Sequence, residues 1–192
     1  MTSTSDGTTT MSMSTSGTTS TSTDSGVASS STTADTGPME DHQIFITSSA
    51  YGGDFGGIAF ADAQCQARAS EAGLAGQWRA LLSEPGNPVR DRLTISGPVE
   101  TLAGSLVAID AADLWDGSIA TPINLDENGA MVSAKTWTGT NVDGTTDPST
   151  CDTWTATMGF GQKGDSTSTG AAWIREGNLV CNGQARFYCL SQ

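Results

Sequence analysis

The longest regular pattern of apolar and polar positions lies between Gly56 and Ser83, in the stretch GGIAFADAQCQARASEAGLAGQWRALLS. Ala59 to Ala72 holds neither proline nor glycine and is rich in Ala, Gln, Arg and Glu. It stops at Gly73, the residue type best able to take the left-handed conformation that closes a helix. The pattern predicts a helix with Phe60, Cys65, Ala69 and Ala72 on or near one inward stripe. A cysteine on that stripe points into the core and wants a distant partner, and Cys189 near the chain end is the candidate.

Gln43 to Ser49 (QIFITSS) is β-branched and aromatic, which suits a buried first strand, and YGGDFGG is a turn that delivers the chain to the helix. Gln77 to Ser83 (QWRALLS) reads as a short second helix that places Trp78, Leu81 and Leu82 on one face. Glu84-Pro85-Gly86-Asn87-Pro88 ends it, because neither proline can continue a helix. Val89 to Gly129 reads as mostly irregular chain. Within it Asp110 to Trp115 forms one helical turn capped by Asp110, with Leu114 and Trp115 turned inward. From Lys135 the pattern changes to strands (AKTWTGT, CDTWTAT, AAWI, NLVC, ARFYCLS) separated by the polar loops NVDGTTDPST and GFGQKGDSTSTG. The fold class predicted is α+β: two early helices packed on a mostly antiparallel sheet with long loops, over residues 43–192.

Composition divides the chain. Residues 1–38 contain 24 Ser or Thr, three Asp, no Lys or Arg and no aromatic residue. Such a segment buries too little apolar surface to offset roughly 1–2 kcal/mol of backbone entropy per ordered residue, and it is expected to be a disordered tether. The remainder carries 18 acidic and eight basic residues, a net charge of −10. That sign argues against nucleic acid and anionic membrane surfaces, which are held by clustered Lys and Arg. No apolar run approaches the length of a membrane span, so no direct membrane insertion of the domain is expected. Four cysteines in an acidic chain with a Ser/Thr tail read as two disulfides, hence as an exported protein. The N-terminus lacks the basic start and apolar middle of a signal peptide. The expectation is therefore that export or lipidation information lies upstream, as in a surface or outer-membrane lipoprotein or a secreted protein.

Four motifs in order, the Gly56–Ser83 stretch, WTGTNVDG from Trp137, CDTW at Cys151 and RFYCLSQ at the end, resemble endostatin. They resemble more closely a bacterial family of unknown function found in surface and outer-membrane lipoproteins. The resemblance covers residues 43–192 and implies a C-type-lectin-like fold. Of the three pairings that four cysteines permit, it implies Cys65 with Cys189 and Cys151 with Cys181. It does not carry over the ligand sites. Endostatin holds zinc through histidines, and this chain has one, His42; its heparin-binding arginines have only the scattered Arg68, Arg79 and Arg186 as counterparts. The Glu-Pro-Asn, Gln-Pro-Asp and Trp-Asn-Asp motifs of calcium-dependent sugar binding are absent, and Trp173-Ile174-Arg175 stands where the last would fall.

Candidate chemistry sits in the loops. Asp143, Asp147, Asp152 and Asp165 could supply oxygens to calcium if the loops converge, although Asp-Gly and Asp-Pro also mark ordinary turns. Ser166 has no histidine nearby in sequence to act as its base, the single His42 lying at the tether junction. Eighteen acids guarantee some carboxylate pair, which says nothing about glycoside hydrolysis without a cleft. Trp137, Trp154 and Trp173 flank the long loops, where an indole either stacks on a sugar ring or fills the core. No catalytic residue, cofactor or metal site is assigned. The expected function is a non-enzymatic, monomeric binding or adhesion module at the cell surface, recognising an extracellular protein or glycan. Its loop residues would be Trp137, Asp143, Asp147, Asp152, Trp154 and Asp165. The alternative is an extracellular carbohydrate-active hydrolase using a carboxylate pair.

Overall fold

A computed structural model describes residues 41–192; the tether expected over residues 1–38 lies outside the described residues. The fold is mixed α+β, with helices packed against two separate sheets where one was expected. The larger sheet has the order β2-β8-β1-β3-β4, formed by β1 (His42–Ile46), β2 (Trp78–Ala80), β3 (Val99–Thr101), β4 (Leu106–Ala108) and β8 (Tyr188–Ser191). Only β1 and β3 run parallel; the other pairs are antiparallel. The smaller sheet is β5-β6-β7, from Lys135–Trp137, Phe160–Asp165 and Gly177–Val180.

The five-stranded sheet is buried on both faces, and strand alternation sorts its side chains. Ile44, Ile46, Tyr188 and Leu190 join one cluster with Val99, Leu114 and Trp173. Phe45, Phe187 and Cys189 join the other with Ala61, Cys65, Trp137 and Trp154. Helix α1 (Ile58–Glu71) contributes to the second cluster through Ile58, Ala61, Cys65 and Ala69. The inward stripe therefore begins with Ile58 and Ala61; Phe60 is partly exposed and meets Tyr51 edge-on at 5.9 Å. Gly73 closes the helix at φ +75° as expected, with Leu74 N–H bonded to Ala69 O and Gly73 N–H to Ser70 O, the double bond of a Schellman cap.

Several expectations change. Gln77 to Ser83 is not a helix: Trp78–Ala80 is edge strand β2, because pairing with β8 satisfies alternate backbone groups and buries Trp78, Ala80, Leu81 and Leu82. Two prolines do not leave the next segment irregular, since Val89–Arg92 makes a helical turn, α2. AAWI is a 3₁₀ turn rather than a strand. The polar stretch GFGQKGDSTSTG supplies β6, the central strand of the second sheet. Asp110 does cap a short helix, α3 (Ala111–Leu114), accepting Asp113 N–H at 2.9 Å.

Both disulfides are those the resemblance implied, Cys65–Cys189 and Cys151–Cys181, with Cα separations of 5.4 and 5.6 Å. They close loops of 124 and 30 residues. On chain-entropy grounds these are worth about 5 and about 3–4 kcal/mol, upper values if the unfolded chain is compact. Replacing Cys65 and Cys189 together by Ser should therefore lower the unfolding free energy by more than replacing Cys151 and Cys181. Equilibrium denaturation of the two double variants measures the order.

Candidate functional site

The segment from Cys151 to Trp154 was expected to be a strand. It is a left-handed turn, with φ of 48, 51, 54 and 63° at Cys151, Asp152, Thr153 and Trp154. For L-residues that conformation costs roughly 1–2 kcal/mol each, so the surroundings must impose it. They do so from several sides. Cys151 is bonded to Cys181, and the Trp154 ring stacks on Phe55 at 5.3 Å and donates from Nε1 to Ser83 O at 3.0 Å. Gly56 and Gly57 N–H groups close on Trp154 O. The turn thus buries Cys151 and Trp154 and leaves Asp152 and Thr153 in solvent. The strand β6 that follows begins with exposed Phe160, whose register partner across the ladder is exposed Val180; Met158, two residues earlier, is 84% exposed.

Trp137 and Trp154, both named as candidates for a binding face, are fully enclosed, and neither offers a ring to a ligand. Trp137 Nε1 donates to Tyr51 O at 2.9 Å. Gly161 lets these rings pack onto β6: a Cβ there would stand 2.8 Å from Trp137 Cζ3 and 2.9 Å from both Cys151 Sγ and Trp154 Cζ3.

The loop aspartates are spread out, and their oxygens are engaged locally. Asp143 accepts from Thr145 N–H and Oγ1, which hold its carboxyl below the ordinary value. Asp147 is buried, accepts Ser149 N–H and faces Arg175 Nε at 3.5 Å. Asp165 lies at the end of β6 away from Phe160, accepting from Thr167 and from Lys135 Nζ at 3.1 Å. Among the described residues no three His, Cys, Asp or Glu side chains converge as a metal site would need. Arg175 and Lys135 partly neutralise Asp147 and Asp165.

His42 is buried within β1 rather than loose at a tether junction. Its Nδ1 lies 2.9 Å from Ser191 O, and Nε2 accepts Ser96 N–H at 3.0 Å with Ser96 Oγ at 3.3 Å. This network assigns the proton to Nδ1 and occupies the Nε2 lone pair. Ser166 is buried, accepting Ala134 N–H and donating to Val132 O.

A groove of about 670 Å³ runs between α1 and β2, a feature absent from the expectations above. Its floor is the outer edge of the five-stranded sheet, closed by side chains. Gln66 Oε1 accepts Trp78 N–H, Asp62 Oδ1 accepts Ala80 N–H, and Arg92 Nη2 donates to Ala80 O. Arg92 Nη1 also reaches both Asp62 oxygens, at 3.1 and 2.8 Å. Burial pulls the Arg92 guanidinium below its ordinary value, against the pull of Asp62. Such plugging keeps an edge strand from pairing with another chain. Glu84 is a second carboxylate on the groove, but Asp62 is committed to Arg92 and a backbone N–H and is not free for acid–base work. The sequence signal for this device was the i, i+4 spacing of Asp62 and Gln66 on one helix face.

Compared with protein-family models and with curated proteins, the chain matches none of them. Among the described residues no helix is long and apolar enough to cross a membrane.

Two outcomes follow. Asp62→Ala leaves Arg92, whose side chain is 8% exposed, without its counter-ion and should cost on the order of 3 kcal/mol in denaturant unfolding. A second prediction concerns the second sheet, where Lys135 bridges Asp165 and Glu176 while Lys163 also binds Glu176. Burial opposes ionisation of both carboxyls, yet their hydrogen bonds and the lysines hold them below the ordinary values of 3.8 and 4.5. Lys135, hydrogen-bonded to Glu176, is raised above 10.5. The carboxylate contribution is complete above pH 4.5 and is lost as pH falls through the lowered values; the Lys135 contribution is lost only above pH 10.5. Thermal stability should therefore fall on acidification, and Lys135→Met should make that fall shallower.

Proposed function

We propose that the chain is a non-enzymatic, monomeric binding or adhesion module of the endostatin-like, C-type-lectin-like class, exported or displayed at the cell surface. It recognises an extracellular protein or glycan through the segments between residues 138 and 180. The observation that carries this reading is the Cys151–Phe160 tip. A strained left-handed turn, held by a disulfide and a buried indole, presents Asp152 and Thr153 beside exposed Met158 and Phe160, with Val180 across the strand. Strain of this kind persists where the surroundings over-determine it, and it fixes the presented side chains before a partner arrives. Exposed apolar groups next to a carboxylate favour a protein partner over an anionic polymer. The adjacency of the first and last strands, the helix-to-last-strand disulfide and the Ser/Thr-rich N-terminal segment support the same class.

The test is a panel of extracellular matrix proteins and arrayed glycans, probed with and without calcium. Binding should not require calcium, and Phe160→Ala combined with Met158→Ala should weaken it at least about tenfold with no change in circular dichroism. Oligosaccharide hydrolysis abolished by a single Glu→Gln or Asp→Asn change would replace this reading with the hydrolase.

A further inference from the structure

The groove between α1 and β2 lies outside the Cys151–Phe160 tip, and its polar side chains fall into two sets. Asp62, Gln66 and Arg92 are consumed in closing the sheet edge. Arg79, Glu84, Gln77 and Asn87 line the same groove, yet among the described residues none of their side chains makes a hydrogen bond or an ion pair. Each sits on a fixed frame. Gln77 O accepts Gln192 N–H, Arg79 belongs to β2, and Glu84 and Asn87 bond each other's backbone across the Pro85-Gly86 turn.

We propose that this groove is a binding site for a neutral, hydroxyl-rich saccharide, separate from the tip described above. Three features select that chemistry. The volume of about 670 Å³ falls within the roughly 300–1,000 Å³ of small-molecule sites. The free side chains are one carboxylate acceptor, one guanidinium donor and two amides that do both, the set that neighbouring sugar hydroxyls need as simultaneous donors and acceptors. The charges balance, Asp62 against Arg92 and Glu84 against Arg79, so the groove is neutral in an acidic domain and does not select an anion or a cation. Trp78 lines the groove but is 2% exposed, so its ring gives no stacking platform. Recognition therefore rests on hydrogen bonds, and affinity is modest.

Isothermal titration of the full chain tests this with neutral hexose and N-acetylhexosamine oligomers, heparin fragments and free amino acids as probes. The expected result is binding of at least one neutral oligomer, weakened about tenfold by Glu84→Gln and by Asn87→Ala. Met131→Ala, at a residue 80% exposed elsewhere, should leave it unchanged. The groove assignment is overturned if no neutral oligomer binds, or if only heparin or amino acids bind. It is also overturned if the groove variants leave oligomer binding intact. Binding lost in Phe160→Ala but kept in Glu84→Gln moves the saccharide to the tip, which ends the groove proposal and leaves the binding-module reading standing.

Discussion

Strand β8 lies between β2 and β1 in the five-stranded sheet, and its Cys189 is bonded to Cys65 of α1. Few other interactions touch as much of the chain. Its backbone joins β1 at the start of the domain and β2 just after the long helix, and its alternate side chains enter both core clusters: Tyr188 and Leu190 on one side, Cys189 on the other. Burial pushes the Tyr188 phenol far above its ordinary value, and its hydroxyl donates to Trp173 O, linking β8 to the 3₁₀ turn near the second sheet. A strand formed by the last residues of the chain closes contacts of the highest sequence separation, which are entropically costly until the rest of the domain is in place.

That base leaves the surface features free to be built from unfavourable local choices. Four consecutive residues in left-handed backbone would not form in isolation; here a disulfide, the Trp154 indole and two glycine N–H groups hold them. The outer edge of β2 is likewise closed by Gln66, Asp62 and Arg92 instead of by another strand, which turns an edge into the floor of a groove. Rigid base and presented side chains are distinct in cause: tertiary packing supplies the first, and the exposed residues beside it are free to serve recognition.

Where the sequence was legible, a local rule and the global fold agreed. The α1 helix with Cys65 and Ala69 inward, its Gly73 cap and the Asp110 cap followed from periodicity and capping chemistry, although Phe60 was misplaced, and the cysteine pairs followed from the resemblance. Where it misled, tertiary context overrode local preference. QWRALLS has helical propensity, but β8 needs a partner. FGQKGD reads as a loop because of its glycines, yet Gly161 and Gly164 are packing glycines: a Cβ at Gly164 would stand 2.0 Å from Trp173 O. Asp143, Asp147, Asp152 and Asp165 read as one constellation, but the structure uses three of them to close their own turns and leaves Asp152 exposed on the left-handed turn. The groove was invisible because its residues come from three segments whose meeting depends on β2 being a strand.

Native-state hydrogen exchange resolved to single amides tests most directly whether β8 organises the domain. The account predicts that the slowest amides, those opening only with global unfolding, cluster at β8, at its partners on β1 and β2, and at Leu81 N–H just past β2, bonded to Tyr188 O. The amides of β7, at the edge of the smaller sheet, should exchange faster through local opening. Slowest exchange within β5, β6 and β7, with β8 opening first, would contradict it.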